Sequence, residues 1–111
     1  MRLEACHNAC RLGPQHVQRC GKCYEGAYEH VQRFGGRLVH GTVRSLLLGR
    51  RIQHAWVESG AKVFDYADPT VVRVTTAAAY QQELAPRPQQ AWTRAAAARR
   101  LLQQRTYGPW R

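Results

Sequence analysis

The 111-residue chain predicts an α+β fold in which an N-terminal helix packs on a small antiparallel sheet of about four strands, followed by two C-terminal helices. Three observations carry this. Tyr24, Ala27, Tyr28, Val31 and Phe34 recur at helical spacing in CYEGAYEHVQRF, giving one apolar stripe. Arg51 to Tyr66, RIQHAWVESGAKVFDY, alternates on either side of a Ser-Gly break, the pattern of a β-hairpin. Residues 77–105 are rich in Ala, Arg and Gln, with helical rather than alternating spacing. A sheet with one apolar face must bury it, so the early helix is expected to lie across it.

In chain order, residues 1–22 form a cysteine-containing N-terminal segment, irregular or weakly helical, with a breakpoint at Gly13-Pro14. The first helix runs from Cys23 to Phe34. Glu25 suits its positive end, and Gly26, which costs about 0.5–1 kcal/mol against Ala there, allows another element to come close. Gly35-Gly36 ends it. Arg37 to Val43 is a strand interrupted by Gly41, and Arg44 to Gly49 connects it to the hairpin. Asp68-Pro69 marks a turn before a last short strand, Thr70 to Val74. Thr75 or Thr76 caps a helix ending at Leu84, which the Pro86-Arg87-Pro88 segment breaks. Pro88 then opens a final helix reaching about Arg105, with Ala91, Ala95, Ala98 and Leu102 on one stripe and Trp92 beside it. Trp110 in the tail is an anchor onto the body or a contact for a partner. The three segments, 1–22, 23–84 and 85–111, make one domain with a small core.

Lys and Arg number 17 against 7 Asp and Glu, a formal charge of +10, enough to attract nucleic acid, anionic surfaces or acidic proteins. No run of about 18 apolar residues is present, so no membrane-spanning helix is expected, and the N-terminus lacks a signal-peptide apolar region. A cytoplasmic protein is expected, whose four cysteines serve as thiols, metal ligands or a nucleophile rather than in disulfides.

The hairpin carries the main chemical signal. With Ser59-Gly60 as a two-residue turn, His54 stands directly opposite Asp65, close enough for a carboxylate to orient an imidazole. With the turn on Gly60-Ala61, Trp56 faces Asp65 and His54 faces Ala67; Asp68 is then a second possible orienter. Cys23, at the opening of the first helix, has the unpaired N–H groups and helix dipole that favour a thiolate. Nucleophile, base and orienting carboxylate together are what activates a thiol.

On these residues, Cys23 in GKCYEGAY, His54 in HAWVE and Asp65 in VFDYADPT, the chain resembles the papain-like and, more closely, the transglutaminase-like cysteine enzymes over about residues 18–70. The resemblance implies a helix that begins at the cysteine and packs on an antiparallel sheet. It makes Cys23 the nucleophile, His54 the general base and later acid, Asp65 the orienting carboxylate, Trp56 a packing residue and Gln18 an oxyanion-hole donor. The implied activity is cofactor-free hydrolysis of a peptide, isopeptide or related amide bond in a peptide or protein substrate.

A second reading uses the same thiol differently. Cys6, Cys10, Cys20 and Cys23 can supply four thiolates to a zinc ion, with His7 as a substitute ligand. That gives a non-enzymatic basic protein binding nucleic acid or an acidic partner. Arg94, Arg99, Arg100 and Arg105 on the last helix would then contact phosphates without regard to sequence, or form a solvated face. Of the other histidines, His40 is expected in the core or at an edge, and His30 at the surface.

Overall fold

A computed structural model describes residues 22–45, 48–67 and 71–110. Cys6, His7, Cys10, Gln18, Cys20 and Asp68 lie outside the described residues.

Helix α1, Lys22–Phe34, forms where the apolar spacing places it, and buries Cys23, Tyr24, Ala27, His30 and Val31. The buried stripe is rotated from the expected one. Phe34 is 71 % exposed, while His30, expected at the surface, is buried. The reason lies in distant partners: the His30 ring lies against Phe64 (centroids 4.3 Å apart), and its Nδ1 is 2.5 Å from the Tyr66 hydroxyl. Tyr66 itself packs on Gly26, the close approach that position allows.

The α+β fold is the one expected, and the sheet of about four strands has five: β1 (Arg37–Ser45), β2 (Arg50–Ser59), β3 (Lys62–Asp65), β4 (Arg73–Thr76) and β5 (Arg87–Trp92). Their order is β4-β3-β2-β1-β5, every pair antiparallel. The fifth strand replaces the first part of the expected final helix. Pro88 lacks an N–H, which a sheet tolerates at an edge, and β5 is the edge strand beside β1. The strand before α2 also lies later than expected, over Arg73–Thr76.

Thr76 caps helix α2 (Ala77–Leu84), its hydroxyl accepting from the Ala79 N–H at 3.1 Å. Thr93 does the same for helix α3 (Arg94–Gln104). The expected Ala/Leu stripe of α3 is not its buried face, since Ala97 alone is buried and Leu102 is 78 % exposed.

The hairpin takes the second of the two registers. Ser59 pairs with Lys62 and Val57 with Phe64, so the turn is Gly60-Ala61. Gly60 has φ +60°, the first-position glycine of a II′ turn. This register sets Val57 against Phe64, whereas a Ser59-Gly60 turn would have set it against Lys62. Both registers keep the same residues on the same face, because they differ by two.

Gly41 pairs with His54 and Val39 with Trp56, placing these four on one face; Leu38, His40, Ala55 and Val57 occupy the other. α1 covers the second face, with Tyr24 against His40 and His30 against Phe64. α2 covers the first, where Tyr80 meets Trp56 at 5.8 Å between centroids. The sheet is therefore buried on both faces, with a core of Val39, Trp56, Val63, Tyr80 and Leu84 on one side and Tyr24, Ala27, Val31, Leu38 and Val57 on the other.

The β1–β5 register shifts between His40 and Gly41, and this bulge brings the Arg87–Pro88 backbone over the Gly41 Cα. A Cβ at position 41 would collide with that backbone, which has no flexible end to yield. Gly41→Ala is expected to cost about 1–3 kcal/mol, the range for forcing extra volume into a packed site, measured as a lower midpoint in denaturant unfolding.

Candidate active site

Three elements bring Cys23, His54 and Asp65 into the interior, all at 0 % exposure. Cys23 is the second residue of α1, His54 lies in the middle of β2 and Asp65 ends β3. His54 and Asp65 are not directly opposed. The observed register puts Asp65 across from Trp56, one diagonal step away on the same face, and the side chains close the gap: His54 Nε2 to Asp65 Oδ2 is 2.9 Å.

Asp65 is held by two further donors. The Tyr80 hydroxyl donates to Oδ2 at 2.6 Å and the Ala67 N–H to Oδ1 at 2.8 Å. Burial by itself would raise the Asp65 pKa. The charge and hydrogen bond of His54, then the Tyr80 and Ala67 donors, outweigh it and hold the carboxyl below its usual range. Tyr80 is pushed well above the ordinary phenol value, first by burial and then by the Asp65 charge, so its proton stays in place as a donor.

β3 stops at Asp65, so the β2–β3 ladder ends before it reaches His54. A charge on Cys23 adds a smaller upward push on the Tyr80 phenol, after burial and Asp65. His54, Asp65 and Tyr80 thus form one buried hydrogen-bonded cluster beneath α2, and Cys23, at the opening of α1, is buried as well. Trp56 beside the cluster is fully buried, as a packing residue should be, and its indole N–H donates to Glu58, which also pairs with Arg37.

Tyr80 was not singled out by sequence. Its one signal is that it is the sole aromatic side chain in AAAYQQEL, a helix anchored otherwise only by Leu84. His40, on β1, lies in the core as one of its expected places. Its ring sits among Tyr24, Trp92 and Trp110, with centroids 4.6–5.0 Å away. Burial, with a smaller contribution from His54, lowers its pKa to about 3.

Among the described residues, no group of three or more His, Cys, Asp or Glu side chains could hold a metal. Three of the four cysteines proposed as zinc ligands lie outside those residues. The basic helix is only partly available: Arg94 donates from Nε to the Val31 carbonyl at 3.2 Å and its own carbonyl accepts from Gln32, docking α3 on α1. Arg100 is half-buried, and Arg99 and Arg105 are exposed.

No family model, no curated protein and no solved structure matches the chain. The chemistry of the cluster is therefore read from its own residues.

Two pH effects follow. Asp65 binds its proton less readily folded than unfolded, so its contribution to stability is fully present above about pH 4 and lost as pH falls through the lowered folded value. Tyr80→Phe removes a donor to that carboxylate and is expected to cost about 1.5–3 kcal/mol, with acid unfolding beginning at higher pH. His40 has a folded pKa of about 3 against roughly 6.5 unfolded. Between these values the unfolded chain takes up a proton that the folded one refuses. Stability should decline there by up to about 1.4 kcal/mol per pH unit, and His40→Phe should flatten that slope in denaturant unfolding at a series of pH values.

Proposed function

We propose that the protein is a small cysteine-dependent acyl-transfer enzyme that hydrolyses a peptide, isopeptide or related amide bond. The observation that supports it most is the fully buried His54–Asp65 hydrogen bond, reinforced by Tyr80, in a protein whose Cys23 thiol is likewise buried at the opening of α1. The similarity to transglutaminase-like enzymes over HAWVE and VFD points the same way.

In this mechanism Asp65 occupies Nε2, so the thiol proton passes to Nδ1 of His54. The Cys23 sulfur attacks the carbonyl carbon, and the oxyanion that forms is stabilised by N–H groups in the first turn of α1. Collapse breaks the C–N bond, the imidazolium gives its proton to the leaving amine, and a thioester remains. Water, deprotonated by His54, attacks that thioester; the acid leaves and Cys23 recovers its proton. Amide and water become acid and amine, and no cofactor is consumed. Asp65 remains ionised throughout, which its lowered pKa favours.

The complete burial of all three side chains favours a second reading, in which the cluster is a polar brace holding β2, β3 and α2 together. The two readings part in solution. Cys23→Ala and His54→Ala are expected to lower turnover of an activated ester or amide substrate by at least about 10³-fold, on the scale seen for members of catalytic triads. Cys23→Ala should do so without loss of cooperative unfolding, and mass spectrometry should find a small electrophile on Cys23 in the parent protein. Full activity in Cys23→Ala, or one tightly bound zinc per chain whose removal unfolds the protein, would sink the acyl-transfer reading.

A further inference from the structure

Beside β5, on the sheet face that α1 covers, lies a cavity of about 450 Å³, within the usual range for small-molecule sites. Tyr24 and Trp110, 4 % and 6 % exposed, offer the small free parts of their rings as apolar walls, His40 is a further lining residue, and Gln53, Gln89 and Gln90 supply carboxamides. No charged side chain lines it. Each carboxamide offers donors and an acceptor, and among the described residues none of the three is engaged elsewhere. An aliphatic occupant would leave those amides unsatisfied, and an ion would give up its hydration to an uncharged wall. A planar heterocycle has a face to stack on the aromatic rings and an edge for the amides to read.

One step along the same face the chemistry changes. Thr42, Arg44 and Arg51 share the face of His40 and Gln53, and Arg87 stands opposite Thr42. Arg44 and Arg51 are direct cross-strand partners, an arrangement that destabilises a sheet. Burial, then the charges of Arg87 and Arg44, lower the Arg51 pKa. None has an acidic partner among the described residues. Arg51 is pinned by its bonds to Thr42 and the Ala85 carbonyl, whereas Arg44 and Arg87 are exposed. Gln53 and Arg51 are two strand residues apart, about 6.6 Å, the scale on which a nucleotide's phosphate is offset from its base.

We propose that this face binds a nucleotide unit, with its base in the cavity between Tyr24, Trp110 and the three glutamines and its phosphate on Arg44 and Arg87. The unit is a free nucleotide or one residue of a single strand. The lining includes neither His54 nor Asp65 and no residue of α3, the helix on which the sequence placed phosphate contacts.

Isothermal titration calorimetry of the full chain tests it, with AMP, UMP, ribose 5-phosphate, inorganic phosphate and a short single-stranded oligonucleotide as probes. A nucleotide, free or in the strand, should bind at least tenfold more tightly than ribose 5-phosphate. Gln90→Ala should remove most of that preference, and Arg44→Gln or Arg87→Gln should weaken binding tenfold or more. Arg99→Gln, on α3, should change it less than twofold, and Cys23→Ala should leave it unaltered, which separates this site from the acyl-transfer reading. Tighter binding per nucleotide by the oligonucleotide would assign the strand as the source, and tighter binding of AMP or UMP the free nucleotide. Equal affinity for the nucleotides and ribose 5-phosphate, or equal losses in the Arg99 and Arg87 variants, would overturn the proposal in favour of diffuse charge attraction. So would displacement of ribose 5-phosphate by an acidic aromatic peptide that binds more tightly than every nucleotide.

Discussion

A carboxylate with no exposure to water must be compensated by its neighbours, and the arrangement around Asp65 is that compensation. Three donors reach its two oxygens: one from an imidazole two strand positions away, one from a phenol on the opposite helical layer and one from the backbone where β3 ends. Removing one partner of such a group leaves a buried charge poorly satisfied, which costs far more than an exposed ion pair contributes. The position of α2 across the sheet, the length of β3 and the orientation of the His54 ring are therefore linked. Each is needed where it is because the same oxygen atoms need it there.

The two sheet faces divide the chemistry. One carries His54, Trp56 and Asp65 beneath α2. The other carries His40, Gln53 and the arginine group beneath and beside α1. Gly41 lies at the seam: its cross-strand partner is His54, its sequence neighbour is His40, and β5 bends over it at the bulge. The basic charge is likewise divided between residues that dock elements, such as Arg94 and Arg51, and residues left to solvent, such as Arg44, Arg87 and Arg99.

Much of the architecture was legible in the chain because local signals agreed. The α1 stripe, the Thr76 cap, the alternation through HAWVE and the pairing of His54 with a carboxylate on the adjoining strand all follow from spacing. The hairpin register was open because Ser-Gly and Gly-Ala each place a glycine at a permitted turn position, and both keep His54 and Asp65 on one face. What decides between them is the Val57–Phe64 contact, which depends on α1. The fifth strand was hidden for a related reason: RPQQAW has no alternation of its own and becomes a strand only because β1 offers it an edge. Tyr80 and the burial of His30 depend on partners 15 and 36 residues away, beyond the reach of any local pattern.

The cavity draws Tyr24, His40 and Gln53 from the first half of the chain and Gln89, Gln90 and Trp110 from its last quarter, whereas Cys23, His54, Asp65 and Tyr80 are all in place by residue 80. During synthesis the thiol, imidazole, carboxylate and phenol can emerge from the ribosome while the wall on the far side of β1 is still unmade. A nascent chain therefore holds these four side chains before it holds the recess beside them, and the ring of Trp110, settling against His40 and Trp92, closes that recess only once residue 110 has been made.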